Sequence, residues 1–153
     1  MSMAKINKME LKICQMTVIL FIILAIPSCS DNNENNNIPL VPVDFVVQLN
    51  DPDFIKLKTI GEWVYVTGGS RGIILYRLDA TTIKAYDRHC TFQPSNSCAL
   101  VAVDLTGNSA TDACCGSTFL LLNGSVSRPP ASIPLKQYNT NLNANQSTLR
   151  IFN

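Results

Sequence analysis

Two cysteine-bearing stretches of this 153-residue chain, 87–98 and 112–119, hold the residue types that could do chemistry. Thiolates, imidazoles and carboxylates are the groups with which proteins bind iron and zinc, and cysteine thiols can also form or exchange disulfides. The two stretches contain four cysteines, the chain's single histidine and an aspartate that opens the second stretch: His89, Cys90, Cys98, Asp112, Cys114 and Cys115. These side chains act together only if the fold brings the two stretches into contact.

The N-terminus predicts export and lipid attachment. Three lysines precede an apolar run from residue 17 to 26, and small residues then lead into Cys29. This arrangement resembles a bacterial lipoprotein signal. The alternative is a permanent transmembrane anchor, but the run is shorter than the roughly 20 residues that a bilayer span needs, and a small-residue cleavage site follows it. We therefore expect residues 1–28 to be a signal peptide and Cys29 to be lipidated.

The mature chain divides into a tether and one domain. Residues 29–40 contain the lipidated cysteine and an Asn-rich segment with too few apolar side chains to fold, and 41–153 form the domain. Residues 29–153 carry nine Lys or Arg and ten Asp or Glu, a net charge of −1, which gives nucleic acid no basic surface to bind. We expect a membrane-anchored lipoprotein of the outer membrane, on its periplasmic or its surface face.

Short β-rich segments recur about every ten residues between turn signals, and no segment shows a convincing helical period of apolar residues. The sequence therefore predicts an all-β fold, a small antiparallel sandwich or barrel. Glycines between the second and third segments and the Asn123-Gly124 pair predict hairpin turns. The expected strands are 43–49, 63–67, 73–78, 82–86, 99–104, 119–122, 135–138 and 148–152.

Four cysteines in the domain of an exported protein indicate disulfides rather than free thiols. They allow three sets of pairs. A bond between the adjacent Cys114 and Cys115 would close a strained ring, which leaves two sets open.

The second stretch resembles a loop of the Rieske iron–sulfur family. Residues 114–119 read Cys-Cys-Gly-Ser-Thr-Phe, which matches the end of the family's Cys-Pro-Cys-His-Gly-Ser-x-Phe loop except at the histidine. Supporting segments are 83–87 before the first cysteine stretch, 123–126 after the second, and 128–135, which resembles the proline loop that covers the cluster. The resemblance implies the antiparallel β domain of that family.

The resemblance also places the ligands of a [2Fe-2S] cluster, and here it fails. The family uses two thiolates on one iron and two imidazoles on the other. The corresponding positions hold Cys90, Phe92, Asp112 and Cys115, so one of the four ligands is kept. A chain with one histidine has no second imidazole to offer. The resemblance thus implies a degenerate member with no cluster, and we expect no cofactor and no bound metal.

Many members of the family join the two loops by a structural disulfide, and the resemblance places Cys98 and Cys114 near its two positions. It then leaves Cys90 and Cys115, which would face the cluster cavity. The implied pairs are therefore Cys98–Cys114 and Cys90–Cys115, with the second bond replacing the cluster as the cross-link between the loops.

The favoured function is a non-enzymatic binding or structural module of the cell envelope. The resemblance places Phe92, Pro94, Pro129 and Pro130 at the loop tip, where the family meets its redox partners. A protein partner in the envelope could bind there, although we prefer that Phe92 fills the vacated cavity, because voids in a core are costly. We expect no catalytic residue, because no serine–histidine–acid set is present, and we expect Asp87, Asp104 and Asp112 to be turn residues.

Two alternatives remain open. One is an electron-transfer protein with a [2Fe-2S] or other metal centre on altered ligands drawn from His89, Cys90, Asp112 and Cys115. The other is a thiol–disulfide role for Cys90 and Cys115, although the chain has no Cys-x-x-Cys motif.

Overall fold

The computed structural model describes residues 38–153. Residues 1–28, Cys29 and most of the expected tether lie outside the described residues. One short 3-10 helix, Ile55–Lys58, and ten strands make up the regular structure of residues 38–153. The strands are β1 (Asp44–Gln48), β2 (Trp63–Val66), β3 (Ile73–Arg77), β4 (Ile83–Asp87), β5 (Val101–Val103), β6 (Ser109–Asp112), β7 (Thr118–Leu120), β8 (Val126–Arg128), β9 (Gln137–Leu142) and β10 (Thr148–Phe152).

The strands form two antiparallel sheets, which confirms the predicted all-β class. The larger sheet has the order β1-β10-β9-β4-β3-β2, and the smaller has the order β5-β6-β7-β8. Each neighbouring pair is antiparallel. No helix within 38–153 is long and apolar enough to cross a membrane.

Strand β3 is buried on both faces and explains why the sequence is continuously apolar there. Ile73 and Leu75 pack into one hydrophobic cluster with residues of β1, β9 and β10. Ile74 and Tyr76 point to the other face and pack with side chains of the smaller sheet. Because neighbouring residues of a strand face opposite sides, a strand between two cores needs apolar residues at every position. The larger sheet thus supports the smaller one, which carries the second cysteine stretch.

Three segments have regular structure that was not among the expected strands. Residues 109–112 form β6, 126–128 form β8, and 55–58 form a helical turn. The expected strand at 135–138 begins two residues later and runs to Leu142. The inward positions of β6 are Ala110 and Asp112, one small and one charged, so the strand has no apolar alternation from which to predict it.

Candidate functional site

The second cysteine loop is a tight turn between β6 and β7. The backbone N–H of Asp112 donates to the carbonyl of Ser117 at 2.9 Å, and the N–H of Gly116 donates to the carbonyl of Asp112 at 2.8 Å. Gly116 has a φ of +80°, a conformation that glycine adopts without steric cost. The Cys114 N–H also donates to Asp112 Oδ1 at 2.7 Å. These bonds fix the direction in which Cys115 leaves the turn.

The first cysteine loop is held from outside by the hairpin between β2 and β3. The guanidinium of Arg71 donates to the carbonyls of Asn96, Ser97 and Ala99, at 2.7, 2.7 and 3.0 Å. The glycine-rich segment that supplies Arg71 was expected only to be a hairpin turn. It is a hairpin turn, and it also fixes the end of the loop that returns to β5.

Asp87, expected to be a turn residue, ends β4 and anchors this hairpin from inside. Its buried carboxylate accepts hydrogen bonds from the backbone N–H groups of Ser70, Arg71 and His89 and from the hydroxyl of Tyr138. Three of these donors lie 16, 17 and 51 residues away in the chain. No local sequence pattern could therefore have identified the role of Asp87.

The proline loop between β8 and β9 lies against both cysteine loops. Thr91 Oγ1 donates to the carbonyl of Ile133 at 2.6 Å, which joins it to the first loop. The N–H of Ala131 donates to Ser117 Oγ at 2.9 Å, which joins it to the second. The two cysteine stretches therefore lie together, as expected, and the proline loop contacts both of them.

Cys98 and Cys114 form a disulfide, with their Cα atoms 5.8 Å apart. This confirms the first of the two pairs implied by the resemblance. Both residues are exposed, so the bond lies at the outside of the loop pair.

Cys90 and Cys115 face each other but are free thiols in the structure. Their Sγ atoms are 3.8 Å apart, so the bond implied between them stays a prediction. Cys90 is fully buried, whereas Cys115 is partly exposed and donates to Ser117 Oγ at 3.1 Å. Burial raises the pKa of the Cys90 thiol well above its usual range, the Asp112 carboxyl beside it adds to the rise, and the Phe92 backbone N–H offsets part of it.

Asp112 is the residue whose placement differs most from expectation. It was expected in a turn, yet it ends β6 with 1% of its surface exposed. Oδ1 accepts the bond from Cys114, but Oδ2 has no hydrogen-bond partner among residues 38–153. One carboxylate oxygen and the sulfurs of Cys90 and Cys115 all lie within 4.8 Å of one another. We call these three residues the Cys90 triad.

His89 lies outside the triad, because both of its ring nitrogens are engaged. Nε2 lies 2.7 Å from the carbonyl of Pro94, which can only accept, so this nitrogen carries a proton. Nδ1 lies 2.8 Å from the hydroxyl of Ser70, which donates to it when the ring is neutral. The ring therefore fastens the first loop to the hairpin and offers no free lone pair to a metal.

Phe92 is half-buried and packs against the hydrophobic cluster that contains Cys90 and Phe119. This agrees with the interpretation that Phe92 fills space inside the loop pair. Pro94 is also half-buried, whereas Pro129 and Pro130 are exposed. The proline pair is therefore the part of the predicted tip that a partner could reach directly.

No protein-family model matches the chain, and no curated protein matches it in sequence. Among solved structures, the fold is similar to the ferredoxin of carbazole 1,9a-dioxygenase from Nocardioides aromaticivorans, with 14% identity over 72% of this chain and 96% of that chain, and a TM-score of 0.47. It is also similar to a Sphingomonas yanoikuyae ferredoxin, with 19% identity over 62% of this chain and 88% of that chain, and a TM-score of 0.43.

The residues at the site do not fit a [2Fe-2S] cluster. Such a cluster has two protein ligands on each iron, and the pairs stand at opposite ends of a two-iron, two-sulfide unit. The side chain of Phe92, which was expected at one ligand position, cannot bind a metal, and hydrogen bonds to Ser70 and Pro94 hold the ring of His89. The three donors that remain are grouped within 4.8 Å. This spacing suits one ion.

Proposed function

We propose that this chain is a lipid-anchored protein of the cell envelope whose β domain is of Rieske type, binds no [2Fe-2S] cluster, and serves as a non-enzymatic binding or structural module. The observation that carries the proposal is the contact between Cys90 and Cys115. These residues stand at a thiolate position and an imidazole position of the family's pattern, yet their sulfurs are 3.8 Å apart. A two-iron, two-sulfide unit between these two positions would hold the side chains farther apart than this.

The module would use the tip of the loop pair as its contact surface. Pro129 and Pro130 are exposed there, and proline fixes its backbone before any partner arrives. The Cys98–Cys114 disulfide and the bonds from Arg71 hold the neighbouring loop in place. A surface fixed in this way loses little conformational entropy on binding, which favours affinity for a protein partner of the envelope.

The anchor would be the acyl chains on Cys29, in the outer membrane. Each buried methylene contributes about 0.8 kcal/mol, and stable anchoring takes more than one chain. Residues 30–37, which hold five asparagines and two acidic residues, would join the lipid to the domain as a solvated tether.

An alternative is favoured by one specific observation. The three donors of the Cys90 triad lie close enough together to share a metal ion, so an electron-transfer protein with a metal centre on altered ligands is the second candidate. An iron centre would give the protein an absorption spectrum that changes reversibly on reduction, whereas the proposed module shows no such change.

The direct test is the iron and acid-labile sulfide content of the full-length protein, extracted from membranes without reductant. The module predicts neither iron nor sulfide, and two of each per chain would overturn it. Fractionation of Cys29→Ala tests the anchor, with Cys115→Ser as the control. The first variant should leave the membrane fraction and the second should stay. Retention of Cys29→Ala in the membrane would contradict lipid anchoring.

The contact surface is tested by placing a photo-crosslinking amino acid at Pro130 in living cells. We expect a discrete crosslinked product that is absent when the same amino acid stands at Asn145, an exposed position in the turn between β9 and β10. Equal crosslinking at both positions would exclude the tip as a specific surface.

A further inference from the structure

We propose that Cys90, Asp112 and Cys115 together bind a single zinc ion. The site goes beyond the proposed module, since a zinc ion without redox chemistry can strengthen a binding domain without making it an electron carrier. Two of the donors come from the second cysteine loop and one from the first. An ion held by all three would join the loops at the inner end, as the Cys98–Cys114 disulfide joins them at the outer end.

The distance between the two sulfurs matches that of two thiolates bound to one zinc ion. Zinc binds thiolate sulfur at about 2.3 Å in a tetrahedral arrangement, which places two thiolate sulfurs on one ion about 3.8 Å apart. The Sγ atoms of Cys90 and Cys115 are 3.8 Å apart in the structure. Little movement is needed for one ion to reach both.

Asp112 also favours a bound cation. Its carboxyl group is buried, and Oδ2 has no hydrogen-bond partner among residues 38–153. A buried polar group without a partner costs free energy, and a buried charge costs more. One carboxylate oxygen of Asp112 lies within 4.8 Å of both sulfurs, so an ion held between the sulfurs could also bind the carboxylate. The zinc site excludes the disulfide predicted between Cys90 and Cys115, and that disulfide would leave Oδ2 without a partner in the described domain.

The charges at the site also favour a divalent cation. No lysine or arginine of the described domain forms an ion pair with Asp112, because the one ion pair there joins Arg150 to Asp44. A divalent cation would supply the missing positive charge. On binding, the two thiols release their protons to solvent, and the ion forms two zinc–sulfur bonds and one zinc–oxygen bond. The resulting centre carries one net negative charge.

Neighbouring groups already orient the donors. The Ser117 N–H donates to Cys115 Sγ at 3.4 Å, and the Cys114 N–H holds Asp112 Oδ1 at 2.7 Å. Bonds of this kind fix ligand direction in metal sites and stabilise a thiolate. Two thiolates also favour zinc over magnesium or calcium, which prefer oxygen. The partial exposure of Cys115 leaves a path by which water could complete the tetrahedron.

The test is a titration of the full-length protein, reduced without oxygen in detergent and freed of reductant, with zinc and with cobalt(II). We expect one ion per chain and, with cobalt, a thiolate-to-metal absorption band. Zinc should protect Cys90 and Cys115 from alkylation while Cys98 and Cys114 react. Protection of Cys98 and Cys114 instead would overturn the proposal, and so would the absence of zinc binding.

Asp112→Asn is the decisive variant, because it keeps the size of the side chain and removes the charge. Mutation of residues that merely orient metal ligands weakens binding about 10–100-fold, so loss of a ligand should cost at least about tenfold. Asp104→Asn is the matched control, since Asp104 also accepts a bond from a backbone N–H two residues on and lies outside the triad. Equal affinity in the two variants would contradict the site.

Discussion

The hydroxyl of Tyr138 donates a 2.7 Å hydrogen bond to Asp87 Oδ2, and this bond joins β9 to the end of β4, where the first cysteine loop begins. Both residues are buried. Burial raises the pKa of Tyr138, and the bond to Asp87 raises it further, so the hydroxyl keeps its proton and remains a donor. The larger sheet therefore positions the loop through a polar contact in its interior.

Replacement of Tyr138 by Phe should destabilise the domain by about 2 kcal/mol, because hydrogen bonds to charged groups contribute about 1.5–3 kcal/mol. Urea unfolding measures the change. Tyr65→Phe is the control, since Tyr65 is exposed and its hydroxyl bonds only the Val103 N–H in the described structure. A loss for Tyr138→Phe no larger than for Tyr65→Phe would show that the buried bond contributes little.

Gly69 should tolerate no side chain. A Cβ there would lie 2.5 Å from Asp87 Oδ2 and 2.6 Å from the Tyr138 hydroxyl. Gly61 has a similar positive φ but nothing within 4 Å of its Cβ position, so Gly61→Ala measures the backbone cost alone. We expect Gly69→Ala to lose about 1–3 kcal/mol more than Gly61→Ala, the usual cost of overpacking. Equal urea midpoints for the two variants would show that Gly69 does not lie as close to Asp87 and Tyr138 as the structure places it.

Removal of the Cys98–Cys114 disulfide should lower the free energy of unfolding by about 3 kcal/mol, because the bond closes a loop with a sequence separation of 16. The double Ser variant, compared with wild type without reductant, measures this loss. Dithiothreitol should lower the stability of the wild type towards that of the variant. A variant as stable as the wild type would mean that the native loops need no covalent tie.

We expect Tyr86 to lower the free energy of unfolding of the domain in alkali. Burial raises its pKa from 10.0 to about 12, and Tyr76 adds to the shift. From about pH 10 the unfolded chain releases this proton while the folded domain retains it, so stability falls as the pH rises towards 12. Tyr86→Phe should reduce that fall. At neutral pH it should cost little or gain about 1 kcal/mol, because the buried hydroxyl has no partner among residues 38–153.

The measurement is the free energy of unfolding from pH 9 to 12 for wild type and Tyr86→Phe. An identical pH dependence in the two proteins would show that Tyr86 ionises in the folded domain as readily as in the unfolded chain.

The sequence predicts the features that local patterns encode. The β class, most strands and the glycine-rich turns follow from apolar and turn residues, and the resemblance implies the meeting of the two loops and the Cys98–Cys114 bond. The role of Asp87 and the burial of Asp112 escape prediction for one shared reason, although Asp112 was among the candidate metal ligands. Each is a buried aspartate at the end of a strand, where a turn is the ordinary expectation, and each lies beside a residue distant in the chain, Tyr138 for Asp87 and Cys90 for Asp112.

The proposed zinc ion would lie between the two cysteine loops, where the resemblance places a cluster. Native mass spectrometry of the protein extracted from membranes without chelator or reductant can detect it. We expect the lipidated chain with one disulfide and one zinc ion that replaces two protons. A mass with two irons and two sulfides, or a metal-free mass with two disulfides, would contradict this expectation.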